Sequence, residues 1–493
     1  MRRITVVIML AVLLLTSCNT GWWEADRNAE PIFDKERINQ YTINCYYDEV
    51  EKIIKGYQQI TYYNNEESIL EDIYIHLYPN YFNDKDSVPF TASEMYMAYP
   101  DGFDIGFINI DSLSVEGDGG TWGYTNSTGR VLRVELSKPL KPGEHIVLDM
   151  NYTVKLPRCN GRFGYGQRTV KGANWYPVVA VFDVNGWNLD PYYSFGDPFY
   201  SDVSNYSVNI TIPESYEVAA AGVVVRSKKN GKGFKEISIV ANRVRDFAWI
   251  ASEDFKIKEK KVGDVTVKSY FFQDEGGEKA LEVGAKSIEI FSSLFGEYPY
   301  KNYSVVAADF YVGGMEYPNL VIINKELYNK EGHFSLEYVV AHETAHQWWY
   351  GVIGNNEVME PWLDEGLTEY STILYYENRY GKETAEGILD NIIGKRYKKY
   401  SGDKGSWEQS IHRSLAEFDS AEEYYTLVYY GGAVVIHQIR EALGDQDFFN
   451  ALKTYYKVYS FENATTNDFL GVVENTAGME IQDRVNEWLS QGI

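Results

Sequence analysis

The chain has 493 residues, enough for two or three domains that each bury a core, and its 44% hydrophobic, 15% aromatic and 24% charged residues are those of an ordinary globular protein. That composition excludes disorder over most of the length and a small disulfide-stapled scaffold. A net charge of −25, from 46 Lys+Arg against 71 Asp+Glu, gives a mean field that repels phosphate backbones, so no nucleic acid is expected as a partner.

Arg2 and Arg3 precede an uncharged run from Ile4 to Leu15, twelve residues long and too short to cross about 30 Å of hydrocarbon as a helix. Residues 1–17 therefore read as a signal peptide. The run ends in Leu15-Thr16-Ser17-Cys18, which resembles the lipobox of bacterial lipoproteins, and the resemblance implies cleavage before Cys18 and a diacylglycerol on its thiol. The expectation is an exported lipoprotein, at the cell surface or in the periplasm, anchored to a bacterial membrane through Cys18. Later in the chain no stretch reaches 18 apolar residues, so the body is expected to be tethered rather than spanning. Cys45 and Cys159 remain, either to pair or to stay as buried thiols.

Residues 18–40 lack a sustained periodicity and read as a spacer. Over 41–260 the period is two: Ile73, Ile75 and Leu77, then Leu132, Val134 and Leu136, then Ile146, Leu148 and Met150, then Tyr206, Val208, Ile210 and Ile212 alternate with polar or amphipathic neighbours. Turn signals such as Asn64-Asn65 and Pro142-Gly143 separate these runs, which predicts a mostly antiparallel β-sandwich-like domain. Beyond about 263, Leu281, Ala285, Ile288, Phe291 and Phe295 form one helical stripe that stops at Gly296. Strands are expected over Tyr303–Phe310 and Leu320–Ile323, joined through Gly313-Gly314. Helices are expected around Ser335–Tyr350, Glu365–Tyr380 and Gly432–Leu443, and from Asp468 to the end. The class is α+β, with a mainly helical domain over 261–493.

His342-Glu343-Thr344-Ala345-His346 lies inside an apolar helix expected to be capped by Ser335. Residues four apart stand one above the other on a helix, about 5 to 6 Å between Cβ atoms, so both imidazoles reach one ion. Glu343 projects to the flank, where it holds a water without ligating. Glu365 lies eighteen residues beyond His346 and opens the pattern WLDEGLTEY, and two helices packed antiparallel return its carboxylate to the ion. Two His and one carboxylate leave a fourth tetrahedral position open, which catalytic zinc requires and structural zinc lacks, so one Zn²⁺ per chain is expected. Glu369, one turn on, is expected to accept the other ring N–H of His346. GRFGYG at 161–166 is no dinucleotide fingerprint, because no strand–helix unit with a trailing acidic residue frames it.

HExxH followed by eighteen residues and Glu, within VVAHETAHQWWYG and WLDEGLTEY, resembles the gluzincin zinc aminopeptidases of the aminopeptidase N and leukotriene hydrolase type. A β-rich first half followed by a thermolysin-like half is that family's order. Gly313-Gly314-Met315-Glu316-Tyr317 stands where the family has an exopeptidase motif, usually G-[AG]-M-E-N, and the resemblance implies that this segment binds substrate, with Glu316 on the free α-ammonium. Tyr317 replaces the usual Asn. Val428-Tyr429-Tyr430-Gly431-Gly432-Ala433 resembles the family's V-Y-x-K-G-A, which implies that the Tyr429 hydroxyl meets the oxyanion, with Gly431 where Lys is frequent. A second ligand for the α-ammonium is implied from the β domain, with Gln167 as the candidate. Larger members carry further domains after the catalytic one, and the end at Ile493 implies a short form with a more open cleft and looser limits on peptide length.

The expectation is a monomeric zinc metallopeptidase that removes amino-terminal residues: His342, His346 and Glu365 hold the metal, Glu343 is the base, Tyr429 meets the oxyanion and Glu316 measures the chain end. A zinc endopeptidase, and a non-catalytic surface peptide-binding protein on a peptidase fold, are the alternatives. Epoxide hydrolysis of a lipid has no dedicated residue here.

Overall fold

The structure, a computed structural model, describes residues 37–117, 119–329, 333–402 and 409–492; the signal peptide, Cys18 and nearly all of the spacer lie outside the described residues. Its largest sheet has seven strands in the spatial order Val223–Lys229, Phe234–Val244, Ser204–Pro213, Asn39–Asp48, Ile53–Tyr63, His145–Lys155 and Phe107–Val115. The period-two runs behave as alternation requires: Ile146, Leu148, Met150, Tyr152 and Val154 are all buried on one face of a single strand. Every neighbouring pair is antiparallel except Asn39–Asp48 against Ser204–Pro213, which run parallel from Asn39 opposite Ser204. Smaller sheets complete this half, one of four strands built on Leu70–His76 and Val131–Leu140, another on Val170–Gly172 and Trp249–Ser252. A short helix, Ala92–Ala98, interrupts the β pattern behind a capping box in which Thr91 and Glu94 satisfy each other's backbone N–H.

The second half opens with strands rather than a helix. Lys256–Val262 and Val265–Phe271 begin a five-stranded sheet that continues through Asn302–Ala308 and Leu320–Asn324 to Gly314–Met315. Asn302–Ala308 and Leu320–Asn324 are parallel neighbours, and the Gly313-Gly314 connection between them carries a further strand, Gly314–Met315, which is an antiparallel edge on Leu320–Asn324 with Gly314 opposite Ile323. Of the predicted stripe, Ala285, Ile288 and Phe291 are buried on the Asp274–Leu294 helix, Leu281 is half-buried there, and the buried Phe295 follows as its C-cap. The final helix is two, Thr466–Ala477 and Gln482–Gln491, broken at Gly478, whose φ of 61° ends the first.

Hydrophobic cores lie on either side of the junction, one from Tyr41 to Ala251 and one from Val265 to Leu489, with a third group in which Ala173, Ala219, Ala248 and Ile250 meet Tyr270, Val306 and Ile322. Arg245 ties the two halves. Its buried guanidinium donates to the carbonyls of Ser201, Tyr350, Val352 and Glu462 and to the side chain of Asn463. Five acceptors on segments far apart in sequence use the fixed fork of donors that only arginine offers. Cys45 and Cys159 are both buried and unpaired. Among the described residues, no helix is long and apolar enough to cross a membrane.

Candidate active site

The helix that carries the HExxH residues runs over His333–Ala345. Ser335 is therefore inside its first turn and not its cap. At the other end it stops five residues short of Tyr350, because the chain turns back on itself: Gly351 N–H donates to the His346 carbonyl at 2.8 Å, and Tyr350 takes φ of 97°, which helix excludes. The i, i+4 relation survives at this margin. His342 and His346 present ring centroids 5.0 Å apart and crossed at 78°.

Glu365 arrives on the Pro361–Tyr380 helix, which begins four residues before the expected Glu365 because Pro361 fits the first helical position. Its Oε2 lies 3.4 Å from His342 Nε2 and 3.4 Å from His346 Nε2, and this buried oxygen has no hydrogen-bond partner. One donor atom from each residue falls within 4.8 Å of the others, a fit to a divalent ion on two imidazoles and a carboxylate. Burial would raise the Glu365 carboxyl, but the two imidazoles outweigh it and hold it down to about 2.

The other ring nitrogens are held from behind. His342 Nδ1 faces Glu369 Oε2 at 3.0 Å, and His346 Nδ1 faces Asp364 Oδ1 at 2.8 Å, with the Thr368 hydroxyl at 3.2 Å. Glu369 thus serves His342 rather than His346, since a residue one turn past Glu365 comes up beside the first histidine. Asp364 takes the expected role at His346, a residue that sequence reasoning passed over although it adjoins Glu365. Tyr338 donates to Glu369 at 2.5 Å and fixes it in turn. Gln347 stitches the metal helix to the substrate side, its amide accepting from Asn319 N–H at 2.8 Å and donating to the Tyr317 carbonyl at 3.2 Å.

Glu316 follows the edge strand Gly314–Met315 and is buried beside the metal residues: its carboxylate, that of Glu343 and the His346 imidazole offer atoms within 4.8 Å of one another. Burial pushes both carboxyls up, Glu343 to about 7, against the pull of the histidines. Gly314 is needed by contact, because a Cβ there would stand 2.3 Å from Glu343 Oε1. Gly313 and Met315 line the same cavity, and Tyr317 is buried.

Tyr429 sits in a π-helical turn, Tyr425–Gly431, that no sequence pattern announced. It donates to Glu365 Oε1, and its ring stacks on His342 with centroids 5.7 Å apart and planes 8° off parallel. Its neighbours Tyr425 and Tyr430 line the same cavity, and the Tyr430 hydroxyl accepts from Arg396. Gln167 does not join the site; it lines a separate depression with Arg168, Asp254 and Lys325. The β-rich half contributes Glu94 and the buried ion pair Arg162–Asp197 instead, and Asp197 groups with Glu316 and Glu357 within 4.8 Å. His342, Glu343, His346, Glu365, Glu369, Glu316, Tyr338, Tyr429, Glu94, Arg162 and Asp197 face one cavity of about 500 Å³.

Residues 279–488 match the profile of the peptidase family M1 domain. Aminopeptidase M1-C of Oryza sativa subsp. japonica is 28% identical over 225 residues, 44% of this chain and 25% of that protein. Aminopeptidase N of Lactococcus lactis subsp. lactis is 26% identical over 225 residues, 43% of this chain and 26% of that protein. The match thus spans about a quarter of the length of these curated relatives. The crystal structure of an M1 zinc metallopeptidase from Deinococcus radiodurans has the same fold, with a TM-score of 0.66 at 18% identity over 92% of this chain and 94% of that one. With its α+β fold, and with a match to the family M1 domain spanning the residues that bring His342, His346 and Glu365 together, the chain is similar to the gluzincin aminopeptidases.

Proposed function

We propose that the protein is a zinc-dependent aminopeptidase, which hydrolyses the amino-terminal bond of peptides. The observation that carries this reading is the placement of the buried Glu316 carboxylate within 4.8 Å of donor atoms of Glu343 and His346. A carboxylate so close to a metal site leaves room for one residue between chain end and scissile bond, and favours a free α-ammonium through a charge-assisted hydrogen bond. His342, His346 and Glu365 would hold the zinc, which when bound would supply a Lewis acid for the scissile carbonyl and the attacking water. Glu343 takes that proton on its carboxylate and returns it to the leaving amine. The Tyr429 hydroxyl donates to the oxyanion, exchanging its present partner Glu365 for the substrate oxygen. Glu369 and Asp364 hold the imidazoles in register throughout.

The test combines two measurements. Glu343→Gln should retain zinc while losing turnover, and acetylation of a peptide's amino terminus should abolish its cleavage by the parent. Turnover by zinc-loaded Glu343→Gln would remove the base; equal cleavage of the acetylated peptide would replace the exopeptidase reading with an endopeptidase. We further propose export and lipid anchoring, supported by Arg2, Arg3, the apolar run Ile4 to Leu15 and Cys18. Cys18→Ser should move the protein from the membrane to the soluble fraction, and an unchanged distribution would count against the anchor.

A further inference from the structure

One charge in the cavity has no role in the reaction proposed above. Arg162 donates to both oxygens of Asp197, at 2.9 and 3.2 Å, and the two buried side chains neutralise each other. Glu369 is engaged with His342 and Tyr338, and Glu316, Glu343 and Glu365 belong to the chemistry. Glu94 remains. It stands in the Ala92–Ala98 helix with only 8% of its surface exposed. One carboxylate oxygen accepts from Thr91 N–H at 2.9 Å and from the Thr91 hydroxyl at 2.7 Å, which fixes the side chain. Among the described residues no cation pairs with it. Glu94 and Tyr425 line the same cavity as His342, His346 and Glu365. Phe90 and Tyr311, with centroids 5.2 Å apart, supply further aromatic wall beside it.

We propose that Glu94 selects substrates whose amino-terminal residue carries a second positive charge, so that the site prefers peptides beginning with arginine or lysine. The inference rests on the aminopeptidase reading. A guanidinium or ammonium entering this end of the cavity meets a fixed, buried carboxylate and aromatic faces, which together favour a cation. A neutral side chain of the same shape displaces water from Glu94 and leaves its charge without a partner, and a site built around a buried polar group discriminates strongly against the analogue that cannot satisfy it.

Arginyl and citrullinyl 4-nitroanilides test the proposal, because the two side chains share a shape and differ in charge. The parent should cleave the arginyl substrate with kcat/KM at least about tenfold higher, the effect of one charge-assisted contact. Glu94→Gln keeps a residue accepted at that capping position and should bring the ratio to within about twofold of one. The lysyl and norleucyl pair should repeat the pattern. A parent ratio near one overturns the assignment whether or not the variant folds, as does a ratio that Glu94→Gln leaves unchanged. The citrullinyl substrate scores the underlying reading separately: its cleavage sustains the aminopeptidase reaction even where the ratio fails, and an enzyme that cleaves neither compound overturns both.

Discussion

Gly314→Ala perturbs the proposed base without touching any metal ligand. The added Cβ would stand 2.3 Å from Glu343 Oε1 and 2.6 Å from both its Cδ and Cγ, whereas carbon atoms in comfortable contact are about 3.5 to 4.0 Å apart. The backbone does not yield readily, since Gly314 is paired with Ile323 in the sheet, so Glu343 is what moves, by about 1 Å or more. Its carboxylate is the end of a flexible side chain, and an altered rotamer costs about 0.5 to 1.5 kcal/mol, too little to unfold the protein. The cost to rate is larger: a displacement of about 1 Å is worth about 100-fold, and complete loss of a general base about 100- to 10,000-fold. We expect kcat to fall about 100- to 1,000-fold with zinc content unchanged, measured on a neutral aminoacyl chromophore alongside metal analysis and a thermal melt. Gly313→Ala, whose Cβ would lie 3.3 Å from a Val339 methyl, should be the milder change. A zinc-loaded Gly314→Ala enzyme keeping more than about a third of the parental kcat would refute the placement of Glu343 as base.

Tyr429→Phe removes the hydroxyl that now reaches Glu365, and kcat should fall about 100- to 1,000-fold with little change in KM; a change confined to KM would contradict an oxyanion role. Asp364→Ala leaves His346 Nδ1 without its 2.8 Å carboxylate and should weaken zinc about 10- to 100-fold in a chelator competition, and unaltered affinity would deny Asp364 its orienting role. His76 is buried, stacked on Tyr78 with its Nε2 donating to the Asn188 carbonyl at 3.1 Å, and burial lowers it from 6.5 to about 4. The unfolded chain therefore binds this proton first, and stability should be lost as pH falls from 6.5 towards 4, by up to about 3 kcal/mol at 1.36 kcal/mol per pKa unit. His76→Gln should flatten that slope in denaturant titrations at pH 7 and pH 4, and identical slopes would show that His76 is not the group responsible.

The residues that define the metal site were legible because their geometry is local. Helical spacing alone places His342 and His346 over one ion, and a carboxylate opening the next helix has a short loop in which to return. Alternation likewise marked the strand of Ile146, Leu148 and Met150, since a period of two is a property of one strand. Which strands become neighbours is not such a property. The parallel pairing of Asn39–Asp48 with Ser204–Pro213, and the edge strand Gly314–Met315 that lowers Glu316 towards the zinc residues, depend on contacts between distant segments. The same holds for the partners of the imidazoles. Glu369 and Asp364 lie on one helix, and only the angle at which it crosses the His333–Ala345 helix decides that the first faces His342 and the second His346. Chain spacing fixed the ligands, then, while tertiary packing chose what stands behind them and brought Glu94 and Asp197 from the β-rich half to the rim, because burial and electrostatic pairing are settled only when remote surfaces meet.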